Sequence, residues 1–316
     1  MSDPSPVIYF DRYVRAEREE AIYGEKWLRW TCEHPVGRLC LRSAISRPWF
    51  SRLYGTWADS PASRREIVPF LEKFGLDPAE FSDPVESFRT FNEFFHRRLA
   101  ANARPIDPAP GAAIFPADGR HSLVHPLDQT TTIYAKGQRL DLTALLGDGA
   151  LAQRFAGGTA IFSRLCPVDY HRFHFPLAGT PDAPRVVNGA LFSVNPIALR
   201  ESIARLWQNR RAVTEVSGSP VGDYLFVEVG ATNVGGIVPT AEPGTPVEKG
   251  DEKGYFRLGG SLVITLFSAG VFTPADDLVE QSSRGVELYA RMGDRMGTVG
   301  TPGSTAGNRG SDSGPA

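Results

Sequence analysis

The chain has 316 residues, 41% of them hydrophobic, enough to bury a real core in one large domain or two ordinary ones. Lys and Arg number 34 against 36 Asp and Glu, so net charge selects no anionic partner, and nucleic acid is not expected. Three cysteines, Cys32, Cys40 and Cys166, have no paired metal spacing and an odd count, which fits a reducing compartment.

The first residues, MSDPSPVIYFDRYVRAEREE, are charged where a signal peptide would be basic and then apolar, so secretion is not expected. From Tyr9 to about Arg104 the pattern reads as helical, with charged faces on Arg12–Trp30 and Ser63–Phe74. Between Lys26 and Arg65, eight basic residues (Lys26, Arg29, Arg38, Arg42, Arg47, Arg52, Arg64, Arg65) stand against Glu33 and Asp59, a net +6 among tryptophans Trp27, Trp30, Trp49 and Trp57. Basic residues beside tryptophans suit an anionic membrane surface, and they equally suit a solvated helix with ordinary core aromatics. Ser87–Leu99 reads as a short amphipathic helix, with Phe88, Phe91, Phe94 and Phe95 on one side and Arg97 and Arg98 on the other. The aromatic side is expected to form the seam with the remainder of the chain.

From about Pro105 to Gly297 the texture changes to short β-type runs broken by Gly, Pro and Asp, such as Gly158–Ser163, Tyr224–Val229, Gly235–Val238 and Ser261–Phe267. Only Pro196–Asn209 reads as clearly helical there. The fold class expected is α+β, with a helical N-terminal region (1–104) packed on a β-rich catalytic domain (105–297). Residues 298–316, rich in Gly, Ser and Pro, read as a disordered tail. The uncharged run Leu258–Ala275 holds four glycines or prolines and alternates with period two, so no transmembrane helix is expected.

Three places could carry chemistry. Gly260 offers an unshielded carbonyl to the hydroxyl of Ser261, and the apolar strand after it would hold that serine rigidly; a plain glycine turn is the commonplace reading. Asp118 sits in the turn Pro116–Gly119, which on its own is an ordinary Asp-Gly turn. His171 and His174 lie three apart in DYHRFHFP, where zinc is the rival, but no further Cys or His ligand has suitable local spacing and no metal is assigned. Serine needs a base fixed by a third group, and Asp118, one of the two histidines and Ser261 would supply that set.

FNEFFHRRL, PADG, KGQRLDLTALL, DYHRFHFP, VEVGATNVGGI, KGDEKGYFRLGGS and VELYARMGDRMG, in that order, resemble the phosphatidylserine decarboxylase family from about Tyr9 to Gly297. The resemblance implies a proenzyme that cuts itself between Gly260 and Ser261 and converts Ser261 into a covalent pyruvoyl group. It matches Asp118 and His174 to the family's Asp-His-Ser set and links His171 to the decarboxylation step. One departure is Leu262, where the family usually has threonine, which raises the question of how fast processing runs.

In the implied chemistry, an N-to-O acyl shift onto Ser261 is followed by elimination and loss of ammonia, leaving residues 1–260 and 261–316 as two associated chains. The pyruvoyl ketone then takes the electrons released as carbon dioxide leaves phosphatidylserine, and a protonated imidazole, His171 first, quenches the carbanion. The implied substrate sits in an anionic membrane, so a cytoplasmic, membrane-peripheral location is expected, with contact through Lys26–Arg65 and a homodimer left open. Lys136 and Arg172 are the candidates for the substrate phosphate. Two rivals remain: a soluble pyruvoyl-dependent decarboxylase of a free amino acid, and a non-catalytic carrier-like β-sandwich presenting Lys249 or Lys253.

Overall fold

A computed structural model of the chain describes residues 6–22, 30–31, 34, 36–37, 55–127, 140–230, 236–259 and 261–300. Its centre is the strand Ser261–Phe267, SLVITLF, buried along its whole length. β-Branched and apolar residues in a continuous run are what a strand covered on both faces needs. It pairs antiparallel with Thr159–Leu165 on one side and Gly222–Gly230 on the other.

These three strands lie inside a ten-stranded sheet. The order is Ala16–Glu19, Ile8–Asp11, Glu287–Ala290, Gly119–Val124, Thr159–Leu165, Ser261–Phe267, Gly222–Gly230, Arg211–Ser219 and Thr180–Pro181, with Arg185–Val187 also on Arg211–Ser219. Strand alternation sorts the central side chains into two cores. Leu262, Ile264 and Leu266 pack with Leu145, Phe155 and Leu206. Val263 and Phe267 pack on the opposite face with Phe173, Phe226 and Phe256.

That second face is covered by a small sheet of Ile237–Pro239, Glu252–Phe256 and Arg172–His174. A third sheet joins Phe272–Pro274, Arg295–Val299 and Ala112–Ile114. The helical layer includes Ile67–Phe74, closed by Gly75 in the left-handed region (φ 61°), and Phe91–Phe95, whose Thr90 side chain accepts from the Glu93 amide. Phe70, Phe91, Phe94 and Phe95 form one cluster with Leu258, so the aromatic side of this segment is indeed the seam with the β-rich part.

The α+β class stands, and several details differ from expectation. Ile8–Asp11 is a strand, parallel to Glu287–Ala290, and Ala16–Glu19 is the exposed sheet edge, where the sequence reads as helix. The charges of that stretch guard an edge strand, and their spacing imitates a helical face. Arg97 is buried, with its guanidinium against the Phe81 and Phe94 rings, although its spacing assigns it to the polar side. Leu142–Leu146, Gly149–Arg154 and Asp276–Ser283 add helices to the β-rich part, the first two capped by Asp141 and Asp148. Thr298 and Val299 complete a strand, and 301–316 lie outside the described residues. So does most of the basic, tryptophan-bearing segment, including Arg42, Arg47 and Arg52. Among the described residues no helix is long and apolar enough to cross a membrane.

Candidate active site

Ser261 opens the central strand, fully buried, and its Oγ lies 3.2 Å from His171 Nδ1. The other ring nitrogen, Nε2, lies 2.9 Å from the Cys166 carbonyl oxygen. A carbonyl only accepts, so Nε2 carries the proton in the neutral ring and Nδ1 presents its lone pair to the serine hydroxyl. Phe95 stacks on the imidazole with ring centroids 3.8 Å apart. Burial, and secondly the charge of Arg97, push His171 down to about 3 against the opposing pull of the Cys166 carbonyl. The ring is thereby held neutral with its Nδ1 lone pair toward the hydroxyl, while the same lowering weakens it as a base.

The Cys166 carbonyl is itself held by a buried charge network. Asp169 accepts from the Cys166 amide at 2.6 Å and from Arg120 at 2.5 and 2.7 Å, while Arg97 reaches toward the carbonyls of Val168 and Asp169. Arg164 joins Glu20 and Glu287, at 2.6 and 2.5 Å, and its guanidinium also meets the Cys166 sulfur. Burial alone would raise Glu20, but Arg164 overrides it and brings that carboxyl down to about 2. Burial pushes the Cys166 thiol up. The turn before His171 is thereby braced from both strands that carry Arg120 and Arg164.

Asp118 and His174 lie one layer further out. The Asp118 carboxylate, 1% exposed, accepts from Arg104 Nε and from the Met292 amide, each at 2.9 Å. His174 Nδ1 donates to the Gly250 carbonyl at 2.9 Å, leaving Nε2 for Tyr170 Oη at 3.4 Å. Burial holds this ring low as well. Among the described residues no hydrogen bond links Asp118, His174 and Ser261 into a chain. The geometry brings His171, rather than His174, to the serine.

His174 ends the strand Arg172–His174 and His171 comes directly before it, so the two do not lie on one helix. A shared metal on one helical face is therefore not the arrangement, and among the described residues no group of three or more metal-binding side chains occurs. Gly260 and Lys136 lie outside the described residues. Arg172 is engaged internally, with both Glu252 oxygens at 2.9 and 3.0 Å and the His96 carbonyl at 3.0 Å. Lys253 is buried against Glu228, and Lys249 donates to the Ala109 and Ala112 carbonyls, so neither is the exposed lysine that a carrier would need.

Nothing in the residue pattern marks Phe95 over the imidazole, Tyr170 beside His174, or Arg104 on Asp118. Tyr170 lies within DYHRFHFP, but its partner cannot be read from that motif. The Cys166 carbonyl is a backbone group, which no side-chain pattern signals.

A family model described as phosphatidylserine decarboxylase matches residues 91–298. A phosphatidylserine decarboxylase proenzyme of Clostridium kluyveri is 40% identical over 289 residues, 92% of this chain and 98% of the relative. Those of Desulfitobacterium hafniense and Chlamydia pneumoniae are each 38% identical over 92% of this chain, covering 97% and 96% of the relatives.

Proposed function

The chain belongs to the phosphatidylserine decarboxylase family, and from that premise we propose that it cleaves itself before Ser261 and then decarboxylates phosphatidylserine to phosphatidylethanolamine. The observation that carries this is the 3.2 Å contact of Ser261 Oγ with a histidine whose proton is fixed on the far nitrogen.

His171 Nδ1 takes the Ser261 hydroxyl proton as the oxygen attacks the Gly260 carbonyl, so that an ester replaces the amide. Loss of the Ser261 α-proton then expels the ester carboxylate, and hydrolysis with release of ammonia leaves a pyruvoyl end on the second chain. The residues present fit such a group: Ser261 is fully buried, its strand is clamped between two others, and Phe95 keeps water off the imidazole. When formed, the group supplies a ketone that, joined to the substrate amine, accepts the electron pair left by carbon dioxide. His171 Nδ1 stays beside the same atoms and, once it has taken a proton, can deliver it to the carbon that has lost carbon dioxide.

The two chains stay together after cleavage, because Ser261–Phe267 and Glu287–Ala290 are interior strands of a sheet completed by the first chain. Contact with the bilayer is peripheral and runs through the basic segment Lys26–Arg65, weakened by salt. The test is release of labelled carbon dioxide from carboxyl-labelled phosphatidylserine in vesicles, beside free labelled serine. Activity on the vesicles alone supports the reading, and activity on free amino acid alone replaces it with the soluble relative.

A further inference from the structure

Beside the Ser261–His171 contact, a second bridge joins the same two layers: Lys253 of the small sheet meets Glu228 of the large one. Glu228 pairs with Val263 and Gly230 with Ser261, so Glu228 and Ser261 are diagonal neighbours on one face, about 7–8 Å apart. Both members of the second bridge are buried, at 1% and 3% exposure, and Glu228 Oε2 has no hydrogen-bond partner among the described residues. They line a cavity of about 80 Å³ walled by Pro184, Val186, Ile237 and Pro239.

The exposed charged member of that lining is Arg210. Its carbonyl accepts from the Gly230 amide at 2.9 Å, which puts Arg210 level with Gly230 and hence with Ser261 across the sheet. Gly230, which pairs with Ser261, has no side chain to stand between Arg210 and the serine along this row of the sheet. Among the described residues the Arg210 guanidinium has no hydrogen-bonding or ionic partner, unlike Arg172, which Glu252 occupies.

We propose that this cavity is the headgroup subsite, in which Arg210 binds the phosphodiester, Glu228 Oε2 accepts from the substrate ammonium, and the apolar walls meet the glycerol carbons. The inference rests on the decarboxylase reading above and names the residues that select a phosphodiester over a free amino acid. A guanidinium matches a phosphodiester in geometry as well as charge, and it sits where water and lipid can reach it. A carboxylate oxygen that is buried and unmatched is costly unless a donor arrives, and the ammonium is that donor. The amine that must join the ketone is thereby held on the face of the sheet that carries Ser261.

The test titrates soluble glycerophosphoserine into the Ser261→Ala chain, which is expected to stay whole, and follows binding by calorimetry, with free serine as the second probe. Arg210→Gln in the same background is expected to weaken glycerophosphoserine about tenfold or more, the loss of one charge-assisted hydrogen bond, and to leave free serine unchanged. Glu228→Gln is expected to weaken both probes. Arg210 is exposed, and a thermal melt of its variant matching the parent excludes misfolding as the cause. An unchanged dissociation constant in Arg210→Gln, or no binding to the parent, overturns the subsite. The wild-type chain is assayed alongside on phosphatidylserine vesicles. Turnover there with unaltered Arg210→Gln binding removes the subsite and keeps the decarboxylase reading, whereas absence of both self-cleavage and turnover removes the two together.

Discussion

Ser261 Oγ and His171 Nδ1 meet at 3.2 Å between the large sheet and the small one, and the far nitrogen of the same ring donates to the Cys166 carbonyl. The pair makes the imidazole a base of defined tautomer aimed at one hydroxyl.

Removing that base should slow self-cleavage. For His171→Gln the expected loss in cleavage rate is about 10²–10⁴-fold, the usual worth of a positioned general base. His174→Gln should slow cleavage less, since its ring bonds Gly250 and Tyr170 instead. Time courses of the uncleaved fraction on denaturing gels compare the two, and the reverse ranking would contradict the assignment.

The pH profile is set by the depression of His171 to about 3, caused first by burial. A base must be neutral, so a lowered pKa extends its working range downward, and the cleavage rate should show no acid limb near pH 6.5 on account of this ring. An ordinary histidine would halve the rate there. The sign for stability is opposite. His121 is also held near 3 by burial, so between about pH 6.5 and 3 the folded chain carries fewer protons on these two rings than the unfolded chain does. They therefore destabilise the fold as pH falls through that window. Melting of the Ser261→Ala chain should occur at a lower temperature at about pH 5 than at about pH 7; a higher one would contradict this.

Leu262 should matter for packing and not for chemistry. Its side chain lies in the core with Leu145 and Phe155, on the face opposite Ser261 and His171. Leu262→Thr should lower stability by about 2–4 kcal/mol through a lost apolar contact and a buried hydroxyl, without faster cleavage. Urea unfolding of the Ser261→Ala background measures the first, and the gel time course the second.

Arg164 holds Glu20 and Glu287 together in the interior. Arg164→Met leaves Glu287 without its partner and Glu20 with only Arg120, 3.5 Å away, and should cost about 3–5 kcal/mol, and adding Glu20→Gln should recover part of it. Urea midpoints of the two variants in the same background decide this; no recovery in the double variant would show that the network is not coupled in this way.

Local features are the legible ones in this sequence. Ser261–Phe267 reads as a buried strand because its run of apolar and β-branched residues leaves little choice, and its bounds match the structure. The aromatic seam of Phe91, Phe94 and Phe95 is visible from spacing alone. The strand at Ile8–Asp11 is not, because its partner is Glu287–Ala290, at the other end of the chain, and neighbouring charges imitate a helix. The site divides in the same way. Asp118, His171, His174 and Ser261 are recognisable by residue type, whereas which histidine meets the serine depends on the Cys166 turn and on the sheet that carries it. Arg172 looks like a phosphate partner because Glu252, 80 residues away, is invisible in a linear reading.

The most direct measurement is an intact-mass spectrum of the purified chain beside its Ser261→Ala variant. Two chains are expected for the wild type, the smaller beginning at position 261 and lighter by one ammonia than plain hydrolysis would give, and a single whole chain for the variant. A wild-type chain that stays whole at 316 residues after incubation with anionic vesicles would contradict self-processing at Ser261.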